Sequence, residues 1–159
     1  MSATVSLEPY PHAGSAALKA LQRNRVDHVA TVTNTTNENQ SLTVAAGLTI
    51  GGARPLVMMQ NQGLYNCINT LRAVCLDAHV PLVLMVGQFG REFSNVGQDP
   101  KASTRSMVAI MEPMLDALKL PYWRLESEAD LGHMESAFAA AQECQTAAVL
   151  LVGAPMAWR

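Results

Sequence analysis

Apolar positions along the chain alternate between short unbroken runs and longer stretches that repeat every three or four residues. Val29–Val32, Pro55–Gln60, Pro81–Val86, Pro121–Leu125 and Ala147–Val152 are the unbroken runs, too short for buried helices and set between polar or Gly/Pro positions, so they predict strands. Between them, Glu38–Ile50 reads as a helix ended by Gly51-Gly52. Leu64–Ala78 follows, with Leu64, Ile68, Leu71, Val74, Cys75 and Ala78 at helical spacing. A third helix is predicted from Ser103, as N-cap, to Leu118, with Met107, Ile110, Met111, Met114, Leu115 and Leu118 on its apolar side and a bend at Pro113. Ala129–Cys144 is a fourth, presenting Leu131, Met134, Phe138 and Ala141. Upstream, Thr4–Leu7 reads as a short strand and Ala16–Leu21 as helical. Strands that are apolar on both faces and alternate with helices predict an α/β fold. The expectation is a single domain over residues 1–159, with a parallel sheet of five to six strands flanked by helices. Ligands in such sheets bind beyond the carboxyl ends of the strands, which places Thr33–Asn37, Gln60–Gly63 and Gly87–Asp99 on one rim. The polar stretch Gly87–Ala102 is long for a connection and is a functional candidate for that reason.

Composition adds a constraint to this picture. The chain has 159 residues, 49% hydrophobic and only 15% charged, against ~25% charged in ordinary globular chains. Part of the surface is therefore expected to lie against a partner. The 11 Lys and Arg residues are scattered and the net charge is −2, which argues against nucleic acid as a ligand. No apolar run approaches the ~20 residues of a membrane span, and the opening MSATVSLEPYPHAGS has neither the basic nor the apolar region of a secretion signal. Cys67, Cys75 and Cys144 form no CxxC pair; with nine methionines they fit a reducing, cytoplasmic compartment. No phosphate-loop, dinucleotide, HExxH or GxSxG motif occurs, and no metal ligand set is expected. Cys67 and Cys75 fall on or beside an apolar helix face and read as buried thiols, the alternative being a hydrolase or transferase with Cys67 as nucleophile.

Carboxylate and amide groups remain. Glu38 follows the polar run Asn34-Thr35-Thr36-Asn37 and opens a helix of small residues. It either complements the helix dipole or acts chemically. Gln60-Asn61-Gln62-Gly63 directly follows a strand, with Asn66 and Asn69 beyond. Consecutive amides are costly to bury without partners and suit the edge of a heteroaromatic ligand; the plain alternative is a loop that caps a helix.

Taken together, Glu38, Ala45-Ala46-Gly47 and Gln60-Asn61-Gln62-Gly63-Leu64-Tyr65-Asn66, in that order, resemble the pyrimidine-binding (PYR) domain of thiamine diphosphate enzymes. Within that group the sequence is most similar to the sulfopyruvate decarboxylase α subunits and phosphonopyruvate decarboxylases, over roughly residues 26–152. The resemblance implies that Glu38 hydrogen-bonds N1′ of the aminopyrimidine, favouring the imino form of the 4′-amine that removes the thiazolium C2 proton. The cofactor then takes up the electrons released as a 2-oxo acid loses carbon dioxide. It further implies cofactor contacts from Gln60, Asn61, Gln62, Gly63 and Asn66. Substrate contacts would come from His12, Gln88 and Arg91, the last able to hold a sulfonate, phosphonate or carboxylate. The segment before Glu38 departs from the family by being short. Gln62 also departs, standing where close relatives carry Ser or Thr.

The same resemblance implies a missing half. No Gly-Asp-Gly run, the mark of the domain that binds diphosphate through Mg2+, occurs in the chain. A β subunit carrying that PP domain and its Mg2+ is therefore expected, along with homo-pairing of α subunits, so that the smallest active unit is a heterotetramer. The implied activity is decarboxylation of sulfopyruvate or a similar anionic 2-oxo acid to an aldehyde. Carboligation, another 2-oxo acid (phosphonopyruvate or a hydrophobic one), and a PYR-like interaction module without chemistry are the alternatives.

Overall fold

A computed structural model describes residues 28–29 and 37–153. The expected elements at Thr4–Leu7 and Ala16–Leu21, and most of the Val29–Val32 run, lie outside the described residues. The described strands are β1 (His28–Val29), β2 (Pro55–Gln60), β3 (Leu82–Gly87), β4 (Tyr122–Leu125) and β5 (Ala147–Val152). They form a sheet in the order β1-β2-β3-β5-β4, and every pairing is parallel. This is the α/β architecture expected, with five strands. Gln60 pairs with Gly87, Gly87 with Val152 and Val152 with Leu125. The carboxyl ends of four strands therefore finish level, at one rim.

The apolar runs are unbroken because both faces of the sheet are covered. On β3, Leu82, Leu84 and Val86 enter one core layer with Leu42, Ala45, Leu64, Leu71, Met111 and Leu115. Val83 and Met85 enter the other, with Met134, Ala137, Phe138 and Ala141. Helix α1 (Glu38–Ile50) lies on the first layer and has the bounds its sequence predicts. Asn37 caps it, its Oδ1 accepting from the Asn39 amide at 2.8 Å, which satisfies one of the unpaired first-turn donors.

The expected helix Leu64–Ala78 differs. It begins earlier, as α2 (Asn61–Asn66), breaks at Cys67, resumes as α3 (Ile68–Leu71) and ends in a π-helical turn, Arg72–Asp77. At the break, the Cys67 amide divides between Gly63 O and Leu64 O. Leu64, Cys67, Leu71 and Cys75 stay buried across the joint, whereas Ala78 ends exposed. The third helix is also split, into α4 (Ser106–Ala109) and α5 (Met111–Ala117). The break falls at Ile110, four residues or fewer ahead of Pro113, because proline has no N–H to offer the Ala109 carbonyl. Ile110 is consequently exposed and Val108 takes the core position. Ser103 does not cap this helix: its Oγ accepts from the Arg105 amide and donates to Glu92. The last helix opens as a 3-10 turn, Glu128–Gly132, under a Ser127/Asp130 capping box, and becomes α6 (His133–Cys144). Among the described residues, no helix is long and apolar enough to cross a membrane.

Candidate functional site

Glu38 is the first residue of α1 and reaches across to α2. A Cβ on Gly63 would stand 2.5 Å from Glu38 Cγ and 3.0 Å from its Cδ and Oε1. No real Cβ approaches that closely, so the absence of a side chain at Gly63 is what lets the carboxyl lie against α2. Asn66 Nδ2 donates to Glu38 Oε2 at 3.2 Å, while Oε1 takes no hydrogen bond among the described residues. Glu38 is half-buried and Asn66 exposed. The result is a carboxyl group held at the strand-end rim by one amide, with its other oxygen taking no hydrogen bond among the described residues.

The amides that follow β2 divide by environment. Asn61 is fully buried. Its Nδ2 donates to Phe89 O at 3.0 Å and Met107 O at 3.1 Å, and its Oδ1 accepts from the Gln62 amide at 2.9 Å. Both donors of Asn61 are thus spent inside the chain, tying the end of β2 to the β3 loop and to α4. Tyr65 adds to the tie: its hydroxyl donates to Met107 O at 2.7 Å, and burial raises its pKa to about 12. Gln60 and Gln62, by contrast, are exposed at the rim.

The β3 loop is built around Arg91 and Glu92. The Arg91 side chain is 1% exposed and paired with Glu126. Its Nε donates to Asn95 Oδ1, its Nη2 to Asn95 O and Gln98 O, and its Nη1 to Gln88 Oε1. Arg91 is thus neutralised and enclosed, with its donors spent inside the loop. Gly153 makes room for the pair, since a Cβ there would meet Arg91 Nη1 at 2.6 Å and Glu126 Oε1 at 2.8 Å. Glu92 accepts from Ser103 Oγ at 2.7 Å, Thr104 N at 3.0 Å and Thr104 Oγ1 at 2.5 Å. These bonds, the Thr104 hydroxyl first, hold its pKa down at about 2. Glu126 and Gly153 escaped the sequence reading. The signal for them was a glycine and a carboxylate directly after apolar strand runs.

Gln88 is buried, and its Nε2 has no hydrogen-bond partner among the described residues. His12 and residues 33–36 of the expected Thr33–Asn37 rim loop lie outside the described residues. Cys67 is enclosed, and burial first, with the Glu38 charge second, raises its pKa to about 12. Cys75 is raised to about 12 as well, chiefly by burial. A thiol so held is not a nucleophile near neutral pH, which removes the Cys67 chemistry considered from the sequence. A wide groove of about 680 Å³, lined in part by Arg54, His79, Gln142 and Gln145, opens at the opposite, amino ends of β2 and β3, away from Glu38.

No family model matches the chain. The chain is 35% identical, over 57 residues, to the sulfopyruvate decarboxylase subunit alpha of Methanothermobacter thermautotrophicus. That match takes in 36% of this chain and 34% of the relative, so the chain spans about a third of the length of the curated relative it matches. The similarity is to one subunit of a decarboxylase.

Proposed function

We propose that the chain is the pyrimidine-binding α subunit of a two-subunit thiamine diphosphate-dependent 2-oxo acid decarboxylase acting on sulfopyruvate. The observation that carries this reading is Glu38: a carboxyl group at the carboxyl-end rim of a parallel sheet, laid over Gly63 and held at Oε2 by Asn66, with no hydrogen bond to Oε1 among the described residues. The similarity to a sulfopyruvate decarboxylase subunit alpha supports the same reading. The residues present fit the cofactor's aminopyrimidine. A carboxyl whose second oxygen takes no hydrogen bond among the described residues suits a ring nitrogen, and Gln60 and Gln62 are exposed at the end of β2 as amide donors and acceptors. When bound, thiamine diphosphate would supply the electron sink for loss of carbon dioxide.

Glu38 would hold and share a proton at N1′ from a half-buried position at the rim. Asn66 would keep the carboxyl turned toward the ring. Gly63 would give the ring's holder its place, and Asn61 would fix the loop above it. The diphosphate and Mg2+ are assigned to a PP-type β subunit, since no Gly-Asp-Gly run occurs here. Pairing of α subunits is assigned to the outward face of α1. There Val44 and Ile50 are exposed, and a Cβ on Gly47 would find no atom within 4 Å. Glycine in mid-helix costs about 1 kcal/mol relative to Ala, and nothing among the described residues requires it.

The test is Glu38→Gln in the complex of this chain with its complementing subunit. Turnover of sulfopyruvate should fall by about 100-fold or more, the usual scale for losing a proton-transfer group, while the complex still assembles by size-exclusion chromatography. Turnover kept within a few-fold of the parent would remove Glu38 from this role.

A further inference from the structure

Glu38 stands between Asn37 and Asn39 in the first turn of α1, where a helix has no carbonyls of its own for its amides. Asn37 Oδ1 accepts from the Asn39 backbone N–H and from Asn39 Nδ2, each at 2.8 Å. A backbone N–H only donates, so the Asn37 atom facing it is the oxygen, and the Asn39 group beside that oxygen is the NH2. Asn39 Oδ1 therefore points the other way, and there Thr70 Oγ1 of α3 donates to it at 2.5 Å. Thr43 and Thr49, in α1, turn their hydroxyls back onto carbonyls of their own helix, the common choice of a helical threonine. Thr70 instead spends its hydroxyl on a second helix. The bonds from Cys67 N to Gly63 O and from Leu71 N to Cys67 O carry helical spacing through the break at Cys67. Gly63, Asn66 and Thr70, three and four residues apart, thus share one face. All three meet the first turn of α1: Gly63 and Asn66 at Glu38, Thr70 at Asn39.

Resting on the decarboxylase reading of Glu38, we infer that Asn39 and Thr70 are positioning residues that set where the Glu38 carboxyl stands. Neither is among the cofactor and substrate contacts that the resemblance implies. An apolar pair of the same shape would hold the two helices together about as well, since replacing both partners of a hydrogen bond by apolar groups is close to neutral. What the hydrogen bond adds is direction. It is made in one register only, whereas apolar contact is non-directional and lets helices slide. The Asn66 amide reaches Glu38 at 3.2 Å, the long end of the normal range, so a small shift of α1 would break it. The Thr70–Asn39–Asn37 chain holds the residues on either side of Glu38. This clamp keeps the carboxyl over Gly63 and within reach of Asn66.

The test compares Thr70→Val with Thr70→Ser, in the complex with the complementing subunit and in the full chain labelled with 15N. In Thr70→Val, kcat per bound thiamine diphosphate should fall by about tenfold, within the ~100-fold that a 1 Å misplacement can cost. KM for sulfopyruvate should stay within twofold of the parent, because the clamp touches no substrate. Thr70→Ser keeps the hydroxyl and should recover the parent rate. Asn39→Ala cuts the same clamp from α1, with the best helix former in its place, and serves should Thr70→Val fail to fold. It should lose as much, and the double variant no more than either alone, because the two residues act through one bond. In the labelled chain, the side-chain NH2 pair of Asn66, identified by its loss in Asn66→Ala, should move in Thr70→Val and Asn39→Ala and hold still in Thr70→Ser. Asn66 signals that stay in place in both clamp variants overturn the inference in every case. Where Glu38→Gln abolishes turnover, it is also overturned by folded clamp variants that keep kcat within twofold, or by a loss that Thr70→Ser does not restore; the decarboxylase reading then stands without the clamp. Turnover that is absent from the parent complex or survives Glu38→Gln, with the Asn66 pair moving in the clamp variants, does the reverse: it sinks that reading and leaves the clamp standing.

Discussion

Single residues at the rim are set by what their neighbours leave room for. Gly63→Ala would place a methyl 2.5 Å from Glu38 Cγ. Overpacking of this kind is expected to destabilise the fold by ~1–3 kcal/mol and to displace the carboxyl. Urea midpoints should therefore fall modestly, while cofactor affinity, by calorimetry, should fall far more than that loss of stability explains. Glu92 gives a pH signature. Its bonds to Thr104 and Ser103 hold its pKa near 2, against 4.5 for the free group, so the unfolded chain binds a proton more readily than the folded one between these values. Its contribution to stability is fully present above about pH 4.5 and is lost as the pH falls toward 2. Glu92→Gln should flatten the dependence of the urea midpoint on pH across that window. An unchanged slope would show that the Ser103–Thr104 contacts carry no such linkage. Neither effect is legible from residue type, because only the fold brings Glu38 against Gly63 and Thr104 against Glu92.

At the level of elements, the rim is a set of strand ends tied to one another by buried polar groups. Asn61 links β2 to the β3 loop and α4, and Arg91 with Glu126 links the β3 loop to the end of β4, over Gly153. Gly153→Ala should force this pair apart. Breaking a buried pair costs about 3–5 kcal/mol, so a clear drop in the thermal midpoint is expected. An unaltered midpoint would mean that Arg91 finds other acceptors. The helix break at Cys67 leaves no mark in the sequence, since the apolar spacing runs through it. Pro113 marked the second break, yet the bend falls where the missing N–H leaves a carbonyl without a partner rather than at the proline itself. By contrast, α1, β2 and β5 have the bounds their sequences predict, because cap residues and turn glycines act locally.

Across the whole molecule, two faces of one sheet are covered to different depths, and this decides what is reactive and what is sticky. Cys67 and Cys75 lie in the core and Cys144 on the surface. A thiol reagent should therefore label one cysteine quickly in the native chain and all three in urea. Fast labelling of more than one would contradict the burial of the other two. The outward face of α1 should mediate self-association. Replacing both Val44 and Ile50 with Asp should shift the chain to a smaller species by light scattering, with its far-ultraviolet circular dichroism retained. The sequence alone determined the class of fold, the order of helices and strands, and the placing of Glu38 and the Gln60–Asn66 amides near one rim. These follow from periodicity, caps and turn residues, which act over a few neighbours. Only the tertiary structure decided which of the rim groups are available. Asn61 and Arg91 are consumed in holding loops together, while among the described residues Glu38 Oε1 and Gln88 Nε2 take no hydrogen bond. Hydrogen-bond satisfaction depends on partners far away in sequence, and no local pattern records it.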